Sequence, residues 1–447
     1  MNYRNNSIEW TRRQVLRTSL MAAGAAALPQ SRLWAGDATP SKRIATAKSI
    51  IQIWMWGGPP HLDTFDPKPE AGAAYCGPLS NPISTNVDGI RICELLPQLA
   101  TQADKYTLIR SMTHGNNGHE TAAYITQTGR QPGNLVYPTL GAIISRCRGY
   151  DSGYTSDVPP YIVLTEPQGR FSEAGFLGPK YKPFATGGNP ALPIFAVEGI
   201  AIEGVTPERM VSRRELLHGI DLLGKSLPEE SAFRKMDQGE EKAYQLTLGD
   251  TGKLFDLNTE DNALRDRYGR NTFGQSCLMA RRLVEKGVPY ITINYKGWDT
   301  HKQNFEAMRR KLPEFDSGLA TLIQDLQEHG LLGSTIIWCG GEFGRTPKVL
   351  MESPWNGGRG HWGSCFSTLV AGGGFKGGMV VGESDPKGEK VQSRPVLPQD
   401  LHGSICELMG LDPDSPLPNT QGIDAKIMPL DAADWGIKTP GRLHEIM

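Results

Sequence analysis

Short apolar runs recur along the chain, each closed by glycine, proline or a polar cluster. The run Ser49-Ile50-Ile51-Gln52-Ile53-Trp54-Met55-Trp56 ends in Gly57-Gly58-Pro59-Pro60 and reads as a buried strand followed by a loop. Residues 106–111, 161–164, 290–295, 335–339 and 367–371 give further short strands rich in Ile, Val, Leu and Thr. Between them the period changes. Residues 304–329 carry Met308, Leu312, Phe315, Leu319, Leu322, Ile323 and Leu326 three or four apart, the stripe of a long helix with one apolar face. Shorter helices are expected over 121–128, closing at Gly129, over 277–286, and over 401–409, stopped by Gly410. Strands alternating with helices predict an α/β fold. Its sheet should be mostly parallel and covered on both faces, with ligands gathering beyond the carboxyl ends of the strands.

The first 46 residues stand apart. Thr11-Arg12-Arg13-Gln14-Val15-Leu16-Arg17 is a twin-arginine pattern, followed by a modest apolar stretch from Ser19 to Leu28 and a plausible cleavage site at Leu33-Trp34-Ala35. That stretch is too short for a standard membrane span and reads as a targeting segment, which implies Tat export to the periplasm or beyond. The mature domain is then expected over 47–447 as one large unit. Residues 166–261, first rich in Gly and Pro and then helical and charged, are expected to form a cap-like insertion.

Composition narrows the partners. The 447 residues carry a net charge of -1, so no global basic field points to nucleic acid or to an acidic membrane surface. The seven cysteines are scattered without CxxC spacing, which excludes a zinc ribbon; each is expected as a small buried apolar residue. Gly372-Gly373-Gly374 lacks the Lys-Ser/Thr of a Walker loop and reads as a turn.

The chemistry follows the strand ends. His61, Asp63 and Asp66 come after the first strand, and His114 and His119 after the second. Asp299 and His301 follow the strand at 290–295, and Glu342 and Arg345 the strand at 335–339. Arg359 and His361 precede the strand at 367–371. All five groups are therefore expected at one edge of the sheet. Mixed carboxylate and imidazole donors suit a divalent metal such as Zn, Mn, Fe or Mg, with Ca also open. Asp299 and His301, two apart in an extended segment, project to one side. His218, His329 and His444 lack such contexts and are read as structural.

The motifs GGPPHLDTFDPKP, SMTHGNNGHETAAYITQTGR, GWDTHKQNF, GGEFGRTPK and GRGHWGSCFSTLVAGGGFKGG resemble a secreted, sulfatase-related family of unknown function in the alkaline phosphatase/sulfatase superfamily. The resemblance covers almost the whole mature chain and implies a three-layer alkaline-phosphatase-like fold. It implies metal ligands at Asp63 (with His61 or Asp66 as substitutes), Asp299, His301, Glu342 and His361. Phe343 stands where the superfamily usually has His or Asn, so one ligand is missing or supplied elsewhere, for instance by His114. Counting back from Thr128-Gly129 places His119 at the superfamily's nucleophile position, and no Cys-x-Pro-x-Arg sulfatase motif occurs. Three roles stay open for His119: a metal ligand with the metal activating water, a covalent nucleophile, or a relic of lost catalysis. The first is favoured. Arg130, Arg345 and Arg359 are candidates for gripping an anionic substrate, because a guanidinium forks onto phosphate or sulfate oxygens. The implied function is exported, metal-dependent hydrolysis of sulfate or phosphate esters on a small molecule or glycan. The alternative is a non-catalytic, metal-containing binder of anionic glycans.

Overall fold

The computed structural model describes residues 44–166, 173–193, 251–430 and 435–447, with a few single positions between 195 and 216. The twin-arginine segment, His218 and most of the expected insertion lie outside the described residues. Among the described residues no helix is long and apolar enough to cross a membrane.

Eight strands form the central sheet: β1 (Ser49–Trp54), β2 (Tyr106–Met112), β3 (Tyr161–Leu164), β4 (Phe184–Ala185), β5 (Tyr290–Asn294), β6 (Thr335–Gly340), β7 (Phe366–Ala371) and β8 (Met379–Val381). Their order is β8-β2-β7-β6-β1-β5-β3-β4. Every pairing is parallel except those of β7, which runs antiparallel to both β2 and β6. The expected mostly parallel sheet is thus present, and part of the expected insertion, Phe184–Ala185, supplies its edge strand. β1 lies in the middle and is buried along its whole length, which is why apolar residues occupy both of its faces, with Gln52 the polar exception in its interior.

Successive strand residues point to opposite faces, and two separate cores result. Ile51, Ile53, Ile291, Ile293, Ile337 and Leu369 face a layer containing α4 (Thr272–Glu285) and the long α5 (Asn304–Glu328). Ile50, Tyr290, Val163, Ile336, Trp338 and Val370 face the opposite layer, with α2 (Leu140–Arg148) and α6 (Pro398–Leu408). The short α3 (Asn262–Tyr268) precedes α4. All seven cysteines are buried and unpaired.

One further helix matters for function. α1 (His119–Thr128) begins two residues earlier than its apolar pattern indicates, so that His119 is its first residue. It closes on Gly129, at φ +67°, where a Cβ would stand 2.7 Å from the Met428 sulfur. Its buried side is mixed, with Ala122, Ala123 and Ile125 beside polar groups keyed to the sheet. Gln52 in β1 donates to Gln127 Oε1 at 3.3 Å and accepts from Tyr290 and Thr292 hydroxyls at 3.2 and 3.0 Å. Thr126 donates to the Glu342 carbonyl at 3.2 Å. These bonds fix the axial position of α1 and hence of His119.

Candidate metal centre

The direction of β7 brings the polar groups together. β1, β2, β5 and β6 run the same way, so the loops after them leave from one edge. β7 runs back, so the loop before it, with His361, starts at that same edge. There His119, Asp299 and His361 place ligand atoms within 4.8 Å of one another. His119 Nε2 lies 3.3 Å from Asp299 Oδ2, and His361 Nε2 lies 3.3 Å from Asp299 Oδ1. His301 joins them, its Nε2 3.1 Å from Asp299 Oδ1 and 2.8 Å from His361 Nε2. Ligands about 2.0–2.2 Å from a tetrahedral ion stand roughly 3.4 Å apart, which the 3.1–3.3 Å contacts to Asp299 approach, whereas the 2.8 Å contact between His301 and His361 is that of a hydrogen bond.

For two of the rings, a hydrogen bond on the far side identifies a nitrogen that carries a proton. His361 Nδ1 donates to the Asn117 carbonyl at 2.8 Å, since a carbonyl can only accept. In the neutral ring Nε2 therefore presents a lone pair to the group. His119 Nδ1 donates to Glu342 Oε1 at 2.7 Å, and its Nε2 faces Asp299 Oδ2 at 3.3 Å. Phe343, fully buried, forms a wall: its ring centroid lies 4.6 Å from that of His361 and 5.0 Å from that of His119. Trp56 stacks on the other side of His119 at 5.8 Å.

Charges here are strongly coupled. Burial alone would raise the Asp299 carboxyl, but hydrogen bonds from His119 and Arg345 outweigh it and hold Asp299 well below the usual carboxylate range. Hydrogen bonds to Asp299 and then Glu342 lift His119 to about 9 in the metal-free protein. Burial, with the nearby Arg345 charge, lowers His361. Burial also lowers His301, against the pull of Asp299. Asp299 is thus an ionised carboxylate bonded to Arg345 and to His119, with two imidazoles of lowered pKa beside it.

Other residues marked by the sequence are placed differently. Asp63 is fully buried behind the group: its Oδ1 accepts from Arg359 Nη2 at 2.7 Å, and its Oδ2 from Arg359 Nε at 2.8 Å and Asn304 Nδ2 at 2.6 Å. Asp63 and Arg359 are spent on each other. Neither substitute joins the group: His61 is buried with Nε2 on the Gly388 carbonyl at 2.9 Å, and Asp66 pairs with Lys68 at 3.1 Å. His114 donates from Nε2 to the Glu342 carbonyl at 2.6 Å and accepts the Asn116 amide on Nδ1 at 3.1 Å, so both nitrogens are occupied by main chain. Burial takes its pKa down to about 4. Glu342, fully buried, accepts the Gly57 amide at 3.0 Å as well as His119. Arg345 is buried too; it bonds the Gly57 and Gly58 carbonyls, the Arg359 carbonyl and Asp299 Oδ1. Arg130 donates to the Lys426 carbonyl at 3.0 Å and lies over the Tyr137 ring.

The sequence reading missed Gly57, Asn117, Trp56 and Asn304. Only Gly57 had a local signal, the Gly-Gly pair after a strand. Its φ is +113°, and a Cβ there would fall 2.3 Å from the Asp299 amide nitrogen.

No curated protein matches the chain. Among solved structures it is similar to the PsFucS1 sulfatase from Pseudoalteromonas sp., at 17% identity over 93% of this chain and 76% of that one, with a TM-score of 0.36. It is also similar to Ps i-CgsB in complex with k-i-k-neocarrahexaose, at 12% identity over 85% and 75%, TM-score 0.39. A third similarity is to a protein in the alkaline phosphatase superfamily from Vibrio parahaemolyticus, at 10% identity over 83% and 69%, TM-score 0.37. One family model spans residues 47–433, and the chain belongs to that family, described as "Protein of unknown function (DUF1501)".

Proposed function

We propose that this chain is an exported hydrolase of sulfate or phosphate esters that depends on a divalent metal. His119, Asp299 and His361 would hold the metal, with His301 completing the set. One observation carries the reading: His119, Asp299 and His361, from three different segments, bring ligand atoms within 4.8 Å of one another, with His301 Nε2 3.1 Å from the same carboxylate. Three imidazoles and one carboxylate favour Zn or a similar transition metal over Mg or Ca. When bound, such an ion polarises an ester oxygen and makes a neighbouring water more acidic. The chain supplies the rest. Asp299 and His301 have side chains 44% and 37% exposed, so the group is open to an ester arriving from solvent. The positive end of α1 begins at His119 and favours an anion there.

A second reading is favoured by the arginines. Arg345 and Arg359 are buried and paired, so neither is free to grip a sulfate or phosphate. A metal-containing binder of anionic glycans needs no such catalytic clamp. Metal analysis of the natively exported protein, together with a screen of sulfate and phosphate esters, separates the two. Hydrolysis that follows metal occupancy supports the first reading. Stoichiometric metal without turnover of any ester supports the second.

A further inference from the structure

Glu342 sits at the meeting point of three segments, yet offers its carboxylate to none of the open positions of the metal group. Oε1 accepts His119 Nδ1 at 2.7 Å, and Oε1 and Oε2 accept the Gly57 amide at 3.0 and 3.2 Å. Its carbonyl oxygen accepts His114 Nε2 at 2.6 Å and the Thr126 hydroxyl at 3.2 Å. The side chain is wholly enclosed. Both ends of the residue are therefore fixed, the main chain by the loop of His114 and the last turn of α1, the carboxylate by the loop after β1 and the first residue of α1.

From this geometry we infer that Glu342 is a positioning residue rather than a metal ligand. Its carboxylate holds the proton of His119 on Nδ1, so that Nε2 is the coordinating atom, and it fixes the ring plane. His114 and Thr126 act one step further out by anchoring the Glu342 main chain. The inference rests on the metal reading above. A neutral imidazole has two tautomers, and only the one protonated on Nδ1 can coordinate through Nε2. A carboxylate on the far nitrogen selects that tautomer and makes the ring a stronger donor. Had Glu342 been a ligand, an oxygen would have to leave the Gly57 amide or His119, and a buried donor would lose its partner. Gly57 belongs to the same device. Its amide reaches Glu342 only because no side chain stands between it and the Asp299 main chain.

The test uses the full mature chain, stripped with a chelator and titrated with Zn(II) against a chromophoric competitor. Glu342→Ala should weaken Zn(II) binding roughly 10- to 100-fold at unchanged stoichiometry, the usual cost of losing a partner behind a ligand. Glu342→Gln, whose amide oxygen still accepts the Nδ1 proton, should keep most of the affinity. Wild-type affinity in a folded Glu342→Ala protein overturns the inference, and so does a loss as complete as that of Asp299→Ala, which would make Glu342 a ligand. If the alanine variant does not fold, histidine-ring nitrogen NMR on the Zn-loaded wild type decides. Zn on Nε2 with Nδ1 protonated supports the assignment; Zn on Nδ1 overturns it. A wild type that takes up no Zn(II) or other divalent ion removes the metal reading itself, and this inference with it.

Discussion

The Nε2 atoms of His301 and His361 face one another at 2.8 Å, while the other nitrogen of His361 is committed to donating to the Asn117 carbonyl. A lone pair on His361 thus points at a second imidazole and at Asp299. Only a proton on His301 or a cation between the rings makes that contact favourable. The cation serves all four side chains at once, whereas a proton serves one pair.

Replacing His361 by Ala should therefore weaken metal binding by more than the roughly 100-fold that outer partners cost, because a donor atom is lost. The ring is half-buried at the edge of the sheet, so the fold should survive. Competition titration measures the affinity, and far-UV circular dichroism confirms the fold. Affinity equal to wild type would remove His361 from the ligand set.

Asp63 and Arg359 predict the opposite pattern. Both are fully buried and bonded at two points. Truncating one partner leaves an uncompensated charge, at a cost of about 3–5 kcal/mol. Arg359→Ala should lower the unfolding midpoint sharply, while the protein that remains folded keeps its metal stoichiometry. Denaturant unfolding and metal analysis of the same sample check both halves. A stable Arg359→Ala protein that has lost its metal would contradict the structural role.

Gly57 is predicted to be intolerant of a side chain. Gly57→Ala adds a Cβ 2.3 Å from the Asp299 amide at a backbone angle that L-residues avoid. Metal affinity should fall together with stability, because Asp299 and the amide that holds Glu342 move at once. A variant with both unchanged, measured by titration and thermal melting, would show that the loop has slack the geometry denies.

His402, remote from the metal group, sets an acid limit on stability. Burial in α6 against Trp338 takes its pKa down to about 3. The unfolded chain has an ordinary histidine near 6.5, so it binds the proton first as pH falls. The stabilising contribution is full above about 6.5 and is lost progressively toward pH 3. By pH 5 the loss amounts to about 2 kcal/mol. His402→Phe should lose correspondingly less stability than wild type between pH 7 and 5. Equal losses in denaturant unfolding at the two pH values would show that His402 is not buried neutral.

The sheet and its long helix were legible in the sequence because β1, β5 and β6 are rich in apolar and β-branched residues and α5 keeps one apolar stripe from Met308 to Leu326. The strand-end position of the Asp and His residues was legible for the same reason. The reversed direction of β7 was not, since a six-residue apolar run carries no mark of its orientation. That reversal is what places His361 with the rest. The pairing of Asp63 with Arg359, 296 residues away, was equally hidden, and both residues looked like functional groups when read locally. His114 and His119 flank one Gly/Asn-rich stretch and look alike in sequence. They are separated only by what lies behind each ring, a main-chain carbonyl for one and a carboxylate for the other.

The central claim is that His119, Asp299, His301 and His361 hold a divalent metal, and metal content after native export tests it most directly. The account predicts stoichiometric Zn or a similar transition metal in the wild type, lost together with any ester hydrolysis in His119→Ala and Asp299→Ala. A wild type that hydrolyses esters without metal, or an Asp299→Ala protein with undiminished metal, would contradict it.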